Sequence, residues 1–164
     1  MSKALPQLEG RLFYRIKRLQ TAIRVSAESA LEDVGISPPQ YSTMLALSAN
    51  PGASNATLAR ICFVTPQTMN ELIRGLENAK LVERVEAEDG RREIALQLTS
   101  EGKKRVAAGH KQMFDVETAA LEAMSEGQRR TFLKHLDAVA VTLEAGQGKK
   151  RASRAGGGVR RRSG

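Results

Sequence analysis

Tryptophan is absent from the 164 residues, aromatic residues make up 4%, and there is one cysteine, Cys62. With so few rings the core has to be aliphatic, and the 41% of apolar residues is enough for one. A single thiol excludes an intramolecular disulfide and a thiolate-rich zinc site. No run of about 18 apolar residues occurs, so no membrane-spanning helix is expected. Residues 1–11 lack the charged-then-apolar pattern of a signal peptide, and the expected location is the cytoplasm. The marks of catalysis are missing too. There is no nucleophile–base pairing, no carboxylate pair suited to a cleft and no glycine-rich phosphate loop. Gly156-Gly157-Gly158 falls in a biased C-terminal stretch. His110 and His135 each stand on a helical segment without a second ligand at metal spacing. The chain is therefore not expected to be an enzyme, and no cofactor or metal is expected.

Charge of one sign is abundant, but in one place. The net charge is +8, and residues 146–164 hold seven basic and no acidic residues. The remaining residues, 1–145, carry 19 basic and 18 acidic side chains. Any nucleic-acid role of the folded body must therefore rest on local pattern. Residues 146–164, rich in Gly, Lys, Arg and Ser, are expected to be disordered. They either add sequence-independent DNA affinity or only solubilise the chain.

The pattern is mainly α with a small β hairpin. Leu12, Ile16, Leu19, Ile23 and Leu31 recur at helical spacing within a helix expected over 8–33, with Gly35 just past its end. Ser37 and Pro38 open a helix running to Ala49, and Asn50-Pro51-Gly52 breaks it. Ser54 caps a short helix over 55–62. Thr65-Pro66 opens another reaching Ala79, with Val64 and Met69 spaced as a hydrophobic staple. Leu72, Ile73 and Leu76 form its buried stripe, while Gln67, Thr68, Asn70, Glu71 and Arg74 face outward. Two strands flank Asp89-Gly90, and in the second Ile94, Leu96 and Leu98 alternate with polar or small residues. Thr99 or Ser100 caps a helix reaching Met124. Ser125 and Gln128 make a capping box for the last helix, whose face is Phe132, Leu136, Val139 and Leu143. Met44, Met69, Met113 and Met124 are core filler. Gly75, costly inside a helix, is explained by close packing against the helix at Asn55.

Helix, helix, helix, strand, tip and strand make a winged helix-turn-helix. In that fold the helix at Thr65 enters a major groove with its N-terminal end leading. Its free N–H groups suit phosphate. Gln67 and Asn70 can pair with adenine in bidentate fashion, Thr68 can approach base edges, and Arg74 can reach guanine or phosphate. Arg91 and Arg92 at the tip suit the negative potential of a minor groove. The DNA-facing set is thus Ser54, Thr65, Pro66, Gln67, Thr68, Asn70, Glu71, Arg74, Arg91 and Arg92. A winged lobe also serves as a protein-contact module, and that is the alternative function. Cys62 has two readings, an oxidant sensor or a buried structural thiol, and its place between Ile61 and Phe63 favours the second.

The segments Leu58-Ala59-Arg60, Val64-Thr65-Pro66-Gln67-Thr68-Met69, Leu81-Val82-Glu83-Arg84, Asp89-Gly90-Arg91-Arg92 and Leu96-Gln97-Leu98-Thr99-Ser100-Glu101-Gly102 together resemble the MarR family of regulators. So does Gly35-Ile36-Ser37-Pro38-Pro39-Gln40-Tyr41, and the likeness covers about 8–144. The resemblance implies a cytoplasmic homodimer with interleaved terminal helices, and a repressor of a palindromic double-stranded operator. It also implies release by a small phenolic or anionic effector held in a cleft between scaffold and lobe; effector-binding residues are not identified. The division that follows is 1–36 for dimerisation, 37–99 for the winged lobe, 100–145 for further dimerisation helices and 146–164 for the basic segment. In the family pattern a wing arginine enters the minor groove, braced by an acidic residue, here Asp89. Counting back from Thr99 selects Arg92, whereas Asp89-Gly90-Arg91 selects Arg91, because this tip is one residue longer than the pattern.

Overall fold

The computed structural model describes residues 8–86 and 94–156. Asp89, Arg91 and Arg92 of the wing tip, and the basic segment beyond Gly156, lie outside the described residues. The chain forms two compact units, Met1–Thr118 and Ala119–Gly164. The first holds α1 (Leu12–Leu31), α2 (Pro38–Ala49), α3 (Asn55–Ile61), α4 (Pro66–Asn78), β1 (Val82–Glu86), β2 (Ile94–Leu98) and most of α5 (Ser100–Leu121). The second holds the end of α5 and α6 (Glu126–Gly156).

Each helix of the lobe starts where a hydroxyl accepts an orphan main-chain N–H. Ser37 accepts from Gln40 N, and the Gln40 side chain accepts the Ser37 N–H at 2.9 Å in return, a full capping box. Ser54 accepts from Thr57 N at 3.2 Å, and Thr65 accepts from Thr68 N at 3.1 Å. A cap of this kind stabilises by about 1 kcal/mol. Of the two candidates before α5, Thr99 is the cap. Its Oγ1 accepts Gly102 N–H at 3.0 Å and donates to Lys80 O at 2.8 Å, so one side chain joins the exit of α4 to the entry of α5. In unit 2 the box of Ser125 and Gln128 is formed, with bonds of 2.8 and 3.4 Å.

The strands pair antiparallel, Val82 opposite Leu98 and Arg84 opposite Leu96. Leu96 and Leu98 are buried, as their period-two spacing requires. The core they join is aliphatic. Leu31, Met44, Leu47, Leu58, Met69, Ile73 and Leu76 are fully enclosed, and among the described residues Tyr41 is the only aromatic one in the cluster. Arg105 of α5 donates to the carbonyls of Val34 and Gly35 at 3.4 and 3.3 Å, fastening the turn between α1 and α2. Gly35 takes φ +70° there, the left-handed conformation glycine adopts at least cost.

Five expectations change. The first helix begins at Leu12, after a turn at Gly10 and Arg11, and stops at Leu31. Only Ala27 and Leu31 of α1 are buried, while Leu12, Leu19 and Ile23 stay about half exposed, because only its last turns meet the core. Met113 and Met124 are half-buried rather than core. The last helix does not end near Ala145: α6 continues to Gly156, so residues 146–156 are helical. Strong helix formers among them, including Gln147, Lys149, Lys150, Arg151 and Ala152, outweigh Gly146 and Gly148. Finally, Gly75 does not pack closely on α3. A Cβ there would meet only Gln40 Nε2, at an ordinary 4.0 Å.

Gly102 is the glycine with no room. A Cβ on it would collide with the carbonyl oxygen of Leu81, which accepts the Thr99 N–H at 3.1 Å. Gly102→Ala is therefore expected to destabilise by about 1–3 kcal/mol through overpacking. Gly75→Ala is expected to stabilise by about 0.8–1 kcal/mol through helix propensity. Urea denaturation should move the two midpoints in opposite directions, and a common direction would contradict this packing.

Candidate nucleic-acid interface

Helix α4 owes its orientation to one stripe. Met69, Ile73 and Leu76 are fully buried, which fixes which side meets the core. On the opposite side Gln67, Thr68, Asn70, Glu71 and Arg74 are all exposed, as are Ser54, Thr65 and Pro66. Every described residue of the DNA-facing set is therefore accessible. Asn55 Nδ2 donates to Asn70 Oδ1 at 2.6 Å, which draws the start of α3, with Ser54, beside the first turns of α4.

The leading end of α4 is arranged to meet acceptors. Pro66 offers no N–H, and Thr65 takes that of Thr68. This leaves the Gln67 main-chain N–H as a first-turn donor with no partner inside the helix, where the helix dipole adds partial positive charge. Thr65 and Thr68 hydroxyls are 2.8 Å apart, so one donates to the other and the two side chains are held together. Gln67 Nε2 approaches Glu71 only at 3.4 Å, a weak tether. Among the described ion pairs none involves Arg74. At the other end of α4, Glu77 pairs with Arg84 of β1 at 2.7 Å and ties helix to hairpin.

Of the two amides in the set, Gln67 and Asn70, one is already engaged. A bidentate adenine contact uses both the oxygen and the nitrogen of an amide. Asn70 Oδ1 already accepts from Asn55, which leaves it one lone pair and its NH2 donors, whereas the Gln67 side-chain oxygen is not engaged in a described hydrogen bond. Sequence reasoning missed Asn55, since nothing in a single asparagine signals a bond fifteen residues away. It also missed Phe63, which holds φ 55° in the turn between α3 and α4 with its ring 91% exposed.

A cleft of about 480 Å³ opens beside the lobe, lined mainly by apolar atoms of Ile23, Tyr41, Cys62, Leu72 and Met113 and bordered by Arg24. Arg24 Nη1 reaches both carboxylate oxygens of Glu28, at 2.8 and 2.9 Å. Tyr41 OH lies 3.2 Å from His110 Nδ1. Burial, and secondarily the Glu117 carboxylate, raises the Tyr41 pKa above its ordinary value, so the phenol stays protonated. His110 does not line the cleft itself but supports a residue that does.

Comparison with known proteins follows the same lines. The MarR family model matches residues 34–93. The HTH-type transcriptional repressor Rv2887 of Mycobacterium tuberculosis is 30% identical over 126 residues, covering 77% of this chain and 91% of that protein. The crystal structure of Rv2887 with DNA has a TM-score of 0.64 at 28% identity, covering 79% of this chain and 98% of that one. Its complex with salicylic acid has the same TM-score of 0.64, at 29% identity over 79% of this chain and 96% of that one. The S. aureus MepR–DNA complex shares the fold with a TM-score of 0.75 at 24% identity, covering 82% of this chain and 98% of that one.

Cys62 forms part of the cleft wall, half-buried, with Sγ 3.7 Å from the Ser42 carbonyl. Burial raises its pKa, and a hydrogen bond with the Thr43 side chain opposes that only in part. Thiolate is therefore scarcer at neutral pH than in a free cysteine. Alkylation by iodoacetamide should be slower than that of a cysteine peptide at pH 7, and its rate should still climb beyond pH 9. A rate that levels off below pH 8 would restore the oxidant-sensor reading.

Proposed function

The chain belongs to the MarR family of winged helix-turn-helix transcriptional regulators, which are not enzymes, and on that premise we propose that it represses transcription as a cytoplasmic homodimer on a palindromic operator. The carrying observation is the leading end of α4: small polar side chains exposed over a buried aliphatic stripe. Gln67 reads base edges, Arg74 reaches guanine or phosphate, and Ser54, Thr65 and Thr68 position the helix on the backbone. Glu71 restrains Gln67. Arg91 or Arg92, with Asp89 as brace, serves the minor groove.

Dimerisation is supported by apolar side chains with no cover inside their own unit. Phe13 is 68% exposed on α1, and Leu133, Leu136, Val141 and Leu143 are exposed on α6. A second copy buries such faces at about 25 cal/mol per Å². Two-fold symmetry then sets half-sites about 10 bp apart. The cleft at Tyr41 suits a small aromatic ligand, and Rv2887 binds salicylic acid. Ligand and operator compete if each favours a different spacing of the two α4 helices.

Selection of bound duplexes from a random pool should enrich one palindrome. Gln67→Ala should lower the operator-to-random affinity ratio by about 5–150-fold, the worth of one bidentate contact, while random-duplex affinity holds within about twofold. Binding without any enriched sequence would overturn the operator reading and favour the protein-contact module. In a thermal-shift screen an aromatic acid should raise the melting temperature, by about 2.7 kcal/mol of stability at a hundred times its Kd. It should also release the operator, and Ile23→Trp, which fills the cleft mouth, should abolish both effects.

A further inference from the structure

The winged lobe carries no net positive charge. Residues 37–99 carry six basic and seven acidic side chains. One of the six, Arg84, is already paired with Glu77. Along α4 itself the one basic residue, Arg74, is outnumbered by two acidic ones, Glu71 and Glu77. Residues 100–145 balance at seven of each sign, and residues 1–36 add a net charge of only +2. Duplex DNA presents a phosphate charge about every 1.7 Å, and most of a protein's affinity at physiological salt comes from cations that displace its counterions. A lobe with this balance offers base recognition and little attraction.

The attraction is elsewhere in the chain. Residues 146–164 contain seven basic residues and no acidic one. Four of them, Lys149, Lys150, Arg151 and Arg154, ride on α6, which continues as helix to Gly156. At 1.5 Å per residue these four charges occupy ~7.5 Å of helix axis, a density close to that of the phosphates. Solubility does not explain the choice of sign, since added acidic residues serve it better than added basic ones. We propose that residues 146–164 are a second DNA-binding element, one that grips duplex phosphates without regard to sequence and supplies the attraction that the winged lobe lacks.

The test is a set of anisotropy titrations on the selected operator and on a random duplex, across a range of KCl concentrations. The full chain is compared with a chain ending at Ala145 and with a full-length variant whose seven basic residues after Gly146 are changed to glutamine. Glutamine preserves helix propensity, so this variant decides the matter if truncation disturbs the fold. Both variants are expected to bind at least about tenfold more weakly at ~0.15 M salt on both duplexes alike. The slope of log K against log salt should fall by about 2–4, near 0.9 for each phosphate no longer neutralised. The operator-to-random ratio should hold. Unchanged affinity and slope in the glutamine variant would overturn the proposal. So would a weakening confined to the operator, or tighter binding of the full chain to anionic lipid vesicles or single-stranded RNA through the same residues. A full chain that binds every duplex equally, and no longer does so in the glutamine variant, would uphold this element while refuting the operator reading.

Discussion

Everything that α4 presents outward depends on what it hides. Burying Met69, Ile73 and Leu76 is worth about 1.5–3 kcal/mol each. That energy is available in only one rotation of the helix. Turning it by a single residue, about 100°, would expose part of the stripe and drive polar groups into the core at a further cost. The polar side therefore needs no stabilisation of its own, and its residues can be chosen for recognition. Glu77 with Arg84 at one end and Asn55 with Asn70 near the other then restrain the helix lengthwise.

The same economy governs the junction of helix, hairpin and scaffold. Thr99 satisfies three groups: its hydroxyl serves Lys80 and Gly102, and its main-chain N–H serves Leu81. Gly102 lets the backbone of α5 come close enough for that to happen. The Thr-Ser-Glu-Gly string that closes the hairpin is thus a packing requirement. On the other side Arg105 holds the α1–α2 turn, so α5 contacts the lobe at its entry and at its exit.

Much of this was legible in the sequence because it is local. Hydroxyls before helices, a capping box three residues wide, proline at a first turn and period-two alternation all act within a few residues, and they placed α2, α3, α4 and both strands. The accessibility of Gln67, Thr68 and Arg74 followed from helical period alone. What failed was nonlocal or cumulative. Leu12, Leu19 and Ile23 share a face by spacing, yet spacing does not say whether the chain itself covers that face. The bond between Asn55 and Asn70 is not legible because its partners lie in different helices. Residues 146–156 read as unstructured because glycine and charge dominate the eye, while the summed propensities favour helix. The cleft at Tyr41 was invisible as a cavity, since its walls come from segments far apart in sequence.

Phe63 carries a last implication. The bend joining α3 to α4 takes a left-handed residue, yet glycine is not used there. A non-glycine residue in that geometry costs about 1–3 kcal/mol of backbone strain, and it leaves the unfolded chain fewer conformations than glycine would. The bend is consequently more restricted than one built on glycine. Cys62 and Val64, on either side of it, both line the cleft at Tyr41, so this bend joins the cleft wall to the leading end of α4.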